Sequence, residues 1–339
     1  MTMDYWYMYY HIRTEELTFY TLLNRINRFS DACNLCTYGI DHRTGRPFSY
    51  IIPTRLSDIN VNTVGDKIIV DQPGLFTYTV NFETNILRYE LSHRDINASF
   101  VMKVEDWNTN QASFFPWYAP VRLVKDLNGH ESHKPGEWMV DSPCIGKVLD
   151  ASFRGHQLSP DGHFWFDTYT GTNYHWLAPY KWFYIHTDEW LIYLLQYDEG
   201  TTPILIKNRK QNRWFYSGAV LNRLPQPFKA IQERIDYVNF TYSIDGELGQ
   251  PFEAHFRSND ININIKSIPE TIVSVFKYDY YKNDAAMNGV VDKSDLEYYD
   301  KIRNISFQEY FCMSKLTIEY EGQTTVTEAR TLYEGKINK

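Results

Sequence analysis

The sequence predicts an all-β protein of two successive β-barrel or sandwich domains, with one short helix in its C-terminal half. Three observations carry this. Short stretches of alternating character recur about every ten residues, separated by turns rich in Asn, Asp, Gly or Pro. Twenty-seven Tyr in 339 residues, with many Thr, Ile and Val, favour a pleated backbone. No helical period intervenes until the far C-terminal part.

The chain opens on a hairpin, Tyr5 to Ile12 and Leu17 to Arg25, around Glu15-Glu16. One face of its first strand carries Trp6, Met8, Tyr10 and Ile12, and the other carries Tyr5, Tyr7, Tyr9 and His11. Both faces are bulky, so both should be covered, which suits a barrel or sandwich wall. A second hairpin joins Thr37 to Ile40 with Pro47 to Arg55 across Asp41 to Arg46. Lys67 to Val70, Phe76 to Phe82, Leu87 to Leu91 and Ser99 to Val104 continue the meander. Trp107 to Gly136 shows no sustained period and reads as a long loop, a lid or binding loop containing Trp117. Strands resume at Cys144 to Phe153 and, after the turn Ser159-Pro160-Asp161-Gly162, at His163 to Tyr169.

Pro179 marks the joint between domains expected at 1–178 and 179–339. Beyond it, Glu189 to Tyr197, Ile204 to Asn208 and Arg213 to Val220 form a meander, with the basic Lys207 to Arg213 as a solvated hairpin loop. Tyr237 to Ile244, Phe252 to Arg257 and the alternating Ile261 to Lys266 follow. Asp279 to Asp292 reads as a surface loop. The helix begins at the capping box Ser294-Asp295-Leu296-Glu297 and shows Leu296, Tyr299, Ile302 and Ile305 on one face. Lys315 to Tyr320 and Thr324 to Leu332 close the chain across Glu321-Gly322.

Composition narrows the function. A net charge of −8 and the lack of a long basic run argue against nucleic acid as a partner. No apolar run approaches the roughly 20 residues of a transmembrane helix. The N-terminal residues lack a basic region followed by an apolar core, so no signal peptide is expected and a cytoplasmic location follows. Four Cys are too few for a disulfide scaffold, and Cys33-Asn34-Leu35-Cys36 reads as ordinary reduced thiols. His130-Glu131-Ser132-His133 reads as solvated loop rather than metal site, so no metal is expected. A P-loop, a dinucleotide glycine motif, a GxSxG elbow and an HExxH are all absent, and no cofactor is expected.

The densest aromatic stretch, Gly171 to His186, holds two Trp, three Tyr, one Phe and two His in sixteen residues. Such rings offer apolar area with few rotors and polar tips that orient a ligand or move a proton. His175 is the first candidate for acid/base work, with His11 and Tyr174 next. Trp6, Tyr7, Trp117, Trp176, Trp182 and Tyr184 are the candidate walls around an apolar small molecule. The same rings also read as packing at a domain junction, and each His as a core imidazole bonded to backbone.

Asp4-Tyr5-Trp6-Tyr7-Met8-Tyr9-Tyr10-His11-Ile12 resembles the opening signature of the carotenoid 1,2-hydratase (hydroxyneurosporene synthase) and lipocalin-like family, Glu-Trp-Trp-Tyr-Phe-x-Gly-His-Leu. Trp6, Tyr7 and His11 match it, and Tyr10 stands where the family has Gly. Phe19 to Phe29, Tyr38 to Asp41 and Gly45 to Tyr50 are similar to the next strand and hairpin. Gly171 with Tyr174-His175-Trp176 resembles a family Gly, acidic-His and Trp, with the acidic residue absent here. Tyr320-Glu321-Gly322 and Glu328 resemble the terminal Trp-Glu-Gly turn and Glu-bearing strand. The resemblance implies two tandem lipocalin-like domains and a cofactor-independent cyclase, hydratase or isomerase acting on a polyene, terpenoid or polyketide intermediate. A non-catalytic carrier of an apolar molecule is the other reading of such a fold, and a structural or assembly protein is a third.

Overall fold

A computed structural model describes residues 5–25, 32–104, 117–121, 136–171, 180–197, 204–217, 235–277 and 305–338. These form two antiparallel sheets, each curled into a half-barrel, so the all-β tandem architecture holds. The first sheet opens with β1 (Tyr5–Thr14), β2 (Leu17–Arg25), β3 (Ala32–Asp41) and β4 (Arg46–Arg55). After a single 3-10 turn at Leu56–Asp58 come β5 (Asn60–Val64), β6 (Lys67–Gln72), β7 (Phe76–Asn81), β8 (Ile86–His93) and β9 (Ile96–Val104). Then follow β10 (Trp117–Val121), β11 (Gly136–Phe153), β12 (His156–Leu158) and β13 (Gly162–Gly171). The second sheet begins with β14 (Tyr180–His186), β15 (Trp190–Tyr197), β16 (Ile204–Asn208), β17 (Arg213–Ser217) and β18 (Ile235–Tyr237). It ends with β19 (Thr241–Asp245), β20 (Phe252–Arg257), β21 (Ile261–Lys277), β22 (Ile305–Tyr320) and β23 (Gln323–Asn338).

The two sheets share one topological rule: the first strand pairs with the last. β1 lies between β2 and β13, and β14 lies between β15 and β23. Both opening strands are therefore central, which puts their side chains where each sheet has most cover. Pairing is antiparallel throughout apart from β17 with β18.

Strand alternation then builds two layers. One face of each sheet closes on its own apolar cluster: Ile12, Phe19, Phe100 and Phe153 in the first, Phe183, Ile185, Ile206 and Phe256 in the second. The opposite faces are buried against each other. Tyr20 stacks on Phe311 across the gap at 5.5 Å, and His11 meets Tyr184 edge-on at 5.1 Å. At the C-terminal end of β1, Ile12 lies in the sheet core and His11 between the sheets, so both faces are covered there. Ile261, Ile263 and Ile265 likewise point inward while Lys266 is exposed.

Several expectations change. Trp117–Val121 is a strand, paired with Glu137 and Trp138 among others, and β11 runs back to Gly136 where a loop was expected. β5 was not foreseen because all five of its residues are exposed and carry no apolar period. Tyr237 to Ile244 splits between β18 and β19. Ile305 begins β22 instead of completing a helical face, and the rest of the expected helix lies outside the described residues, as does the Asp279 to Asp292 loop. Lys207 and Asn208 are buried at the end of β16, so the solvated turn shrinks to 209–212. The Lys207 ammonium lies 4.5 Å from the centre of the Trp214 ring, which offsets part of its desolvation. Cys33 and Cys36 are buried on β3, where a spacing of three sends them to opposite faces. Among the described residues no helix is long and apolar enough to cross a membrane.

Candidate functional site

The central strands bring histidines together from both sheets. His11 is buried, its ring stacked on Tyr20 at 4.2 Å and 14° and set against Tyr184. Its Nε2 has no hydrogen-bond partner among the described residues. Burial, and then the charge of Arg13, push this imidazole well below its ordinary pKa, so it is neutral at physiological pH. His186 ends β14 and is equally buried, with Nδ1 3.1 Å from the Tyr184 hydroxyl. Its Nε2 also lacks a partner among the described residues. Burial lowers its pKa strongly, helped by the neighbouring His163, Arg209, His11 and Arg13.

His163 completes the group. It lies directly opposite Arg13 in the β1–β13 register, and its ring centre is 4.5 Å from that of His186. Its Nε2 is 3.0 Å from Oδ1 of the exposed Asp188. These side chains line a cleft of about 1150 Å³ between the sheets, with His11, Arg13 and His163 on one side and His186, Trp190 and Arg330 on the other.

Arg330 ties the two sheets together. Its Nε is 3.3 Å from Glu270 Oε2, and its Nη1 is 2.9 Å from His42 Nε2 on the first sheet. A guanidinium only donates, so His42 accepts as a neutral ring. Burial first, then the charges of Arg330 and Arg13, bring the His42 pKa down to about 4. Arg13 in turn donates from Nη1 to the Arg330 carbonyl at 3.4 Å.

A neutral imidazole with a free ring nitrogen can accept a proton or donate a hydrogen bond, according to its tautomer. The Tyr184 hydroxyl can donate to or accept from His186 Nδ1, so that contact suits either tautomer. Among the described residues no three His, Cys, Asp or Glu side chains are grouped to hold a metal ion.

Of the site residues expected from sequence, the structure brings together His11, Trp182 and Tyr184. Trp182 stacks on Tyr184 at 6.3 Å, behind the cleft. Trp6 and Tyr7 are placed on β1 opposite Thr170 and Tyr169, and Trp117 on β10 opposite Val140; the description of these three stops at the backbone. Tyr174, His175 and Trp176 lie outside the described residues. Arg13, His163 and Arg330 were not singled out from the sequence, and His186 only as one of the aromatic stretch. The signal was available for two of them. Arg13 is two residues from His11, and His186 two from Tyr184, so each pair shares a strand face. His163 and Arg330 needed the register.

No family model matches the sequence, and no curated protein matches it. Solved structures do resemble it. CghA with Sch210972 superposes with a TM-score of 0.57 at 10% identity, over 99% of this chain and 88% of that one. CghA alone gives 0.56 over the same shares, also at 10% identity. Kievitone hydratase from Nectria haematococca gives 0.48 at 10% identity, over 98% of this chain and 88% of that one. The likeness to CghA is one of fold, the tandem lipocalin-like arrangement of two curled sheets.

Proposed function

We propose that the chain is an enzyme that, without a redox cofactor, cyclises, hydrates or isomerises a largely apolar polyene, terpenoid-like or polyketide intermediate held between its two sheets. One observation carries the reading: two buried, neutral imidazoles, one from each sheet, lie in the wall of the same cleft, each with an Nε2 that no described residue partners. An orphan polar atom in a buried site costs stability unless a ligand satisfies it. That CghA, a chain of this fold, is known in a structure with Sch210972 supports the same use here.

In this reading the domains are 1–178 and 179–339, and neither holds a whole site. His11 and His186 serve as proton acceptors or hydrogen-bond donors, because their lowered pKa leaves almost no imidazolium at physiological pH to act as an acid. His175 and Tyr174 are the proposed proton donors, and Trp6, Tyr7, Trp117, Trp176, Trp182 and Tyr184 the proposed rings around the substrate's apolar part. The proposed setting is cytoplasmic, with no nucleic-acid partner.

The test is turnover of linear polyene and polyketide substrates, read by absorbance and mass. Hydration adds the mass of a water; cyclisation and isomerisation leave the mass unchanged. The wild type should convert one of them, and the double variant His11→Gln/His186→Gln should lose about 10²–10⁴-fold in kcat/KM, the usual contribution of a positioned acid or base. Tight binding of such molecules with no conversion by the wild type would instead establish a carrier.

A further inference from the structure

On the first sheet's side of the cleft, β11 is irregular at one point. Its pairing with β9 passes from Val148 opposite Met102 to Asp150 opposite Val101, so Leu149 is an extra residue with no partner on β9. Such a bulge bends its strand and breaks the alternation, and bulges recur beside binding sites. Val148 and Ala151 are buried, and both residues between them are exposed. Asp150 has a partner there, the Gln157 amide. Leu149 is left 46% exposed in the wall of the cleft. The second sheet supplies a counterpart. Met313 on β22 lies directly opposite Arg330 on β23, lines the same cleft and is 37% exposed. Seven large apolar side chains among the described residues are exposed, and these two alone line the cleft. Much of the wall around them is charged, with Lys147, Asp161, Glu328 and Arg330.

We infer that Leu149 and Met313 are specificity-determining residues of the cleft and seat the hydrocarbon chain of its substrate, one from each sheet. One exposed Leu on a convex surface is ordinary, but two accessible apolar side chains from different sheets in one concave site offer a chain two walls. A hydrocarbon laid over both takes its own apolar surface and theirs out of water. The unbranched thioether of Met313 adapts to bends in such a chain. Two separate side chains make a narrow contact, which fits a slender saturated or polyene chain rather than a broad fused-ring system. The inference rests on the cleft being the substrate site, and it names the part of the substrate held and the residues that select it.

A series of 1-hexanol, 1-octanol and 1-decanol tests this by equilibrium titration of the full chain, read by calorimetry and by the Met313 methyl and His163 ring resonances. Affinity in the wild type should rise about threefold for each added CH₂, the gain expected when most of that group is buried. The double variant Leu149→Asn/Met313→Gln should bring the gain below about 1.5-fold. Val61→Asn, on the exposed edge strand β5, should keep the wild-type gain. All three positions are exposed, so these replacements leave the cores intact. A wild type without chain-length dependence, or an undiminished dependence in the double variant, overturns the inference. The two resonances separate its failure from that of the wider reading. If the His163 ring shifts and the Met313 methyl does not, the cleft takes the ligand and the inference alone fails; if neither moves on binding, the cleft as substrate site fails with it. No turnover is involved, so the test holds for an enzyme and a carrier alike.

Discussion

At the scale of single residues, the chemistry of this chain depends on imidazoles kept from water. His11, His42 and His186 all have folded-state pKa values below their ordinary value. The unfolded chain therefore binds protons that the folded chain refuses, starting near pH 6.5. Stability is full above that pH and falls as the pH drops toward 4, by about 1.4 kcal/mol per pH unit for each histidine. Urea midpoints at pH 7, 6 and 5 should show this steep loss before most carboxylates titrate, and His42→Asn should flatten it. A midpoint unchanged from pH 7 to 5 would mean that these rings are solvated. Tyr20 is the second decisive residue, because it touches His11, Tyr38 and Phe311 at once. Tyr20→Ala should cost about 3–5 kcal/mol in denaturant unfolding, as for other large buried rings. His11 was legible from its place beside Ile12 on an alternating strand. Its partners in the second sheet were not, since contacts between distant strands leave no local pattern.

At the scale of elements, most strands were legible because their apolar residues alternate, and the misses have physical reasons. β5 has no buried face, and β10 and β11 lie where Pro, Gly and aromatic residues break the period. Sharp curling leaves a mark in glycine. A Cβ at Gly39 on β3 would sit 2.0 Å from the Thr18 carbonyl oxygen and 2.8 Å from the Phe48 ring. One at Gly146 on β11 would sit 1.9 Å from the Lys103 carbonyl oxygen. Backbone atoms of central strands cannot give way cheaply, so Gly39→Ala and Gly146→Ala should each lose about 3 kcal/mol or more. Gly45→Ala, in an open turn with φ +67°, should lose only about 1 kcal/mol. Equal losses at Gly39 and Gly45 would remove close strand approach as the cause of the curl.

At the scale of the whole molecule, the fold places two half-barrels with outer faces together and builds the cleft from both. Arg330 reaches His42 on the first sheet and Glu270 on the second. Arg330→Ala removes both contacts and leaves the strand pairing intact. Scanning calorimetry should then show the single transition lowered by a few degrees or split in two, for a loss of about 1–3 kcal/mol. An unchanged single transition would show that the aromatic layer alone joins the sheets. Two curled domains were legible from the regular strand spacing and the aromatic stretch near Pro179. The basic wall of the cleft was not, because Arg13 and Arg330 stand 317 positions apart.

The central claim is that His11 and His186 are buried and neutral and lie in the wall of one cleft between the sheets. The most direct measurement is a pH titration of the histidine ring nitrogens by NMR, assigned with His11→Gln and His186→Gln. Both rings should remain neutral from pH 8 to pH 5. If His11 and His186 instead titrate near pH 6.5 as free imidazoles do, the rings are open to water and the account of the site is wrong.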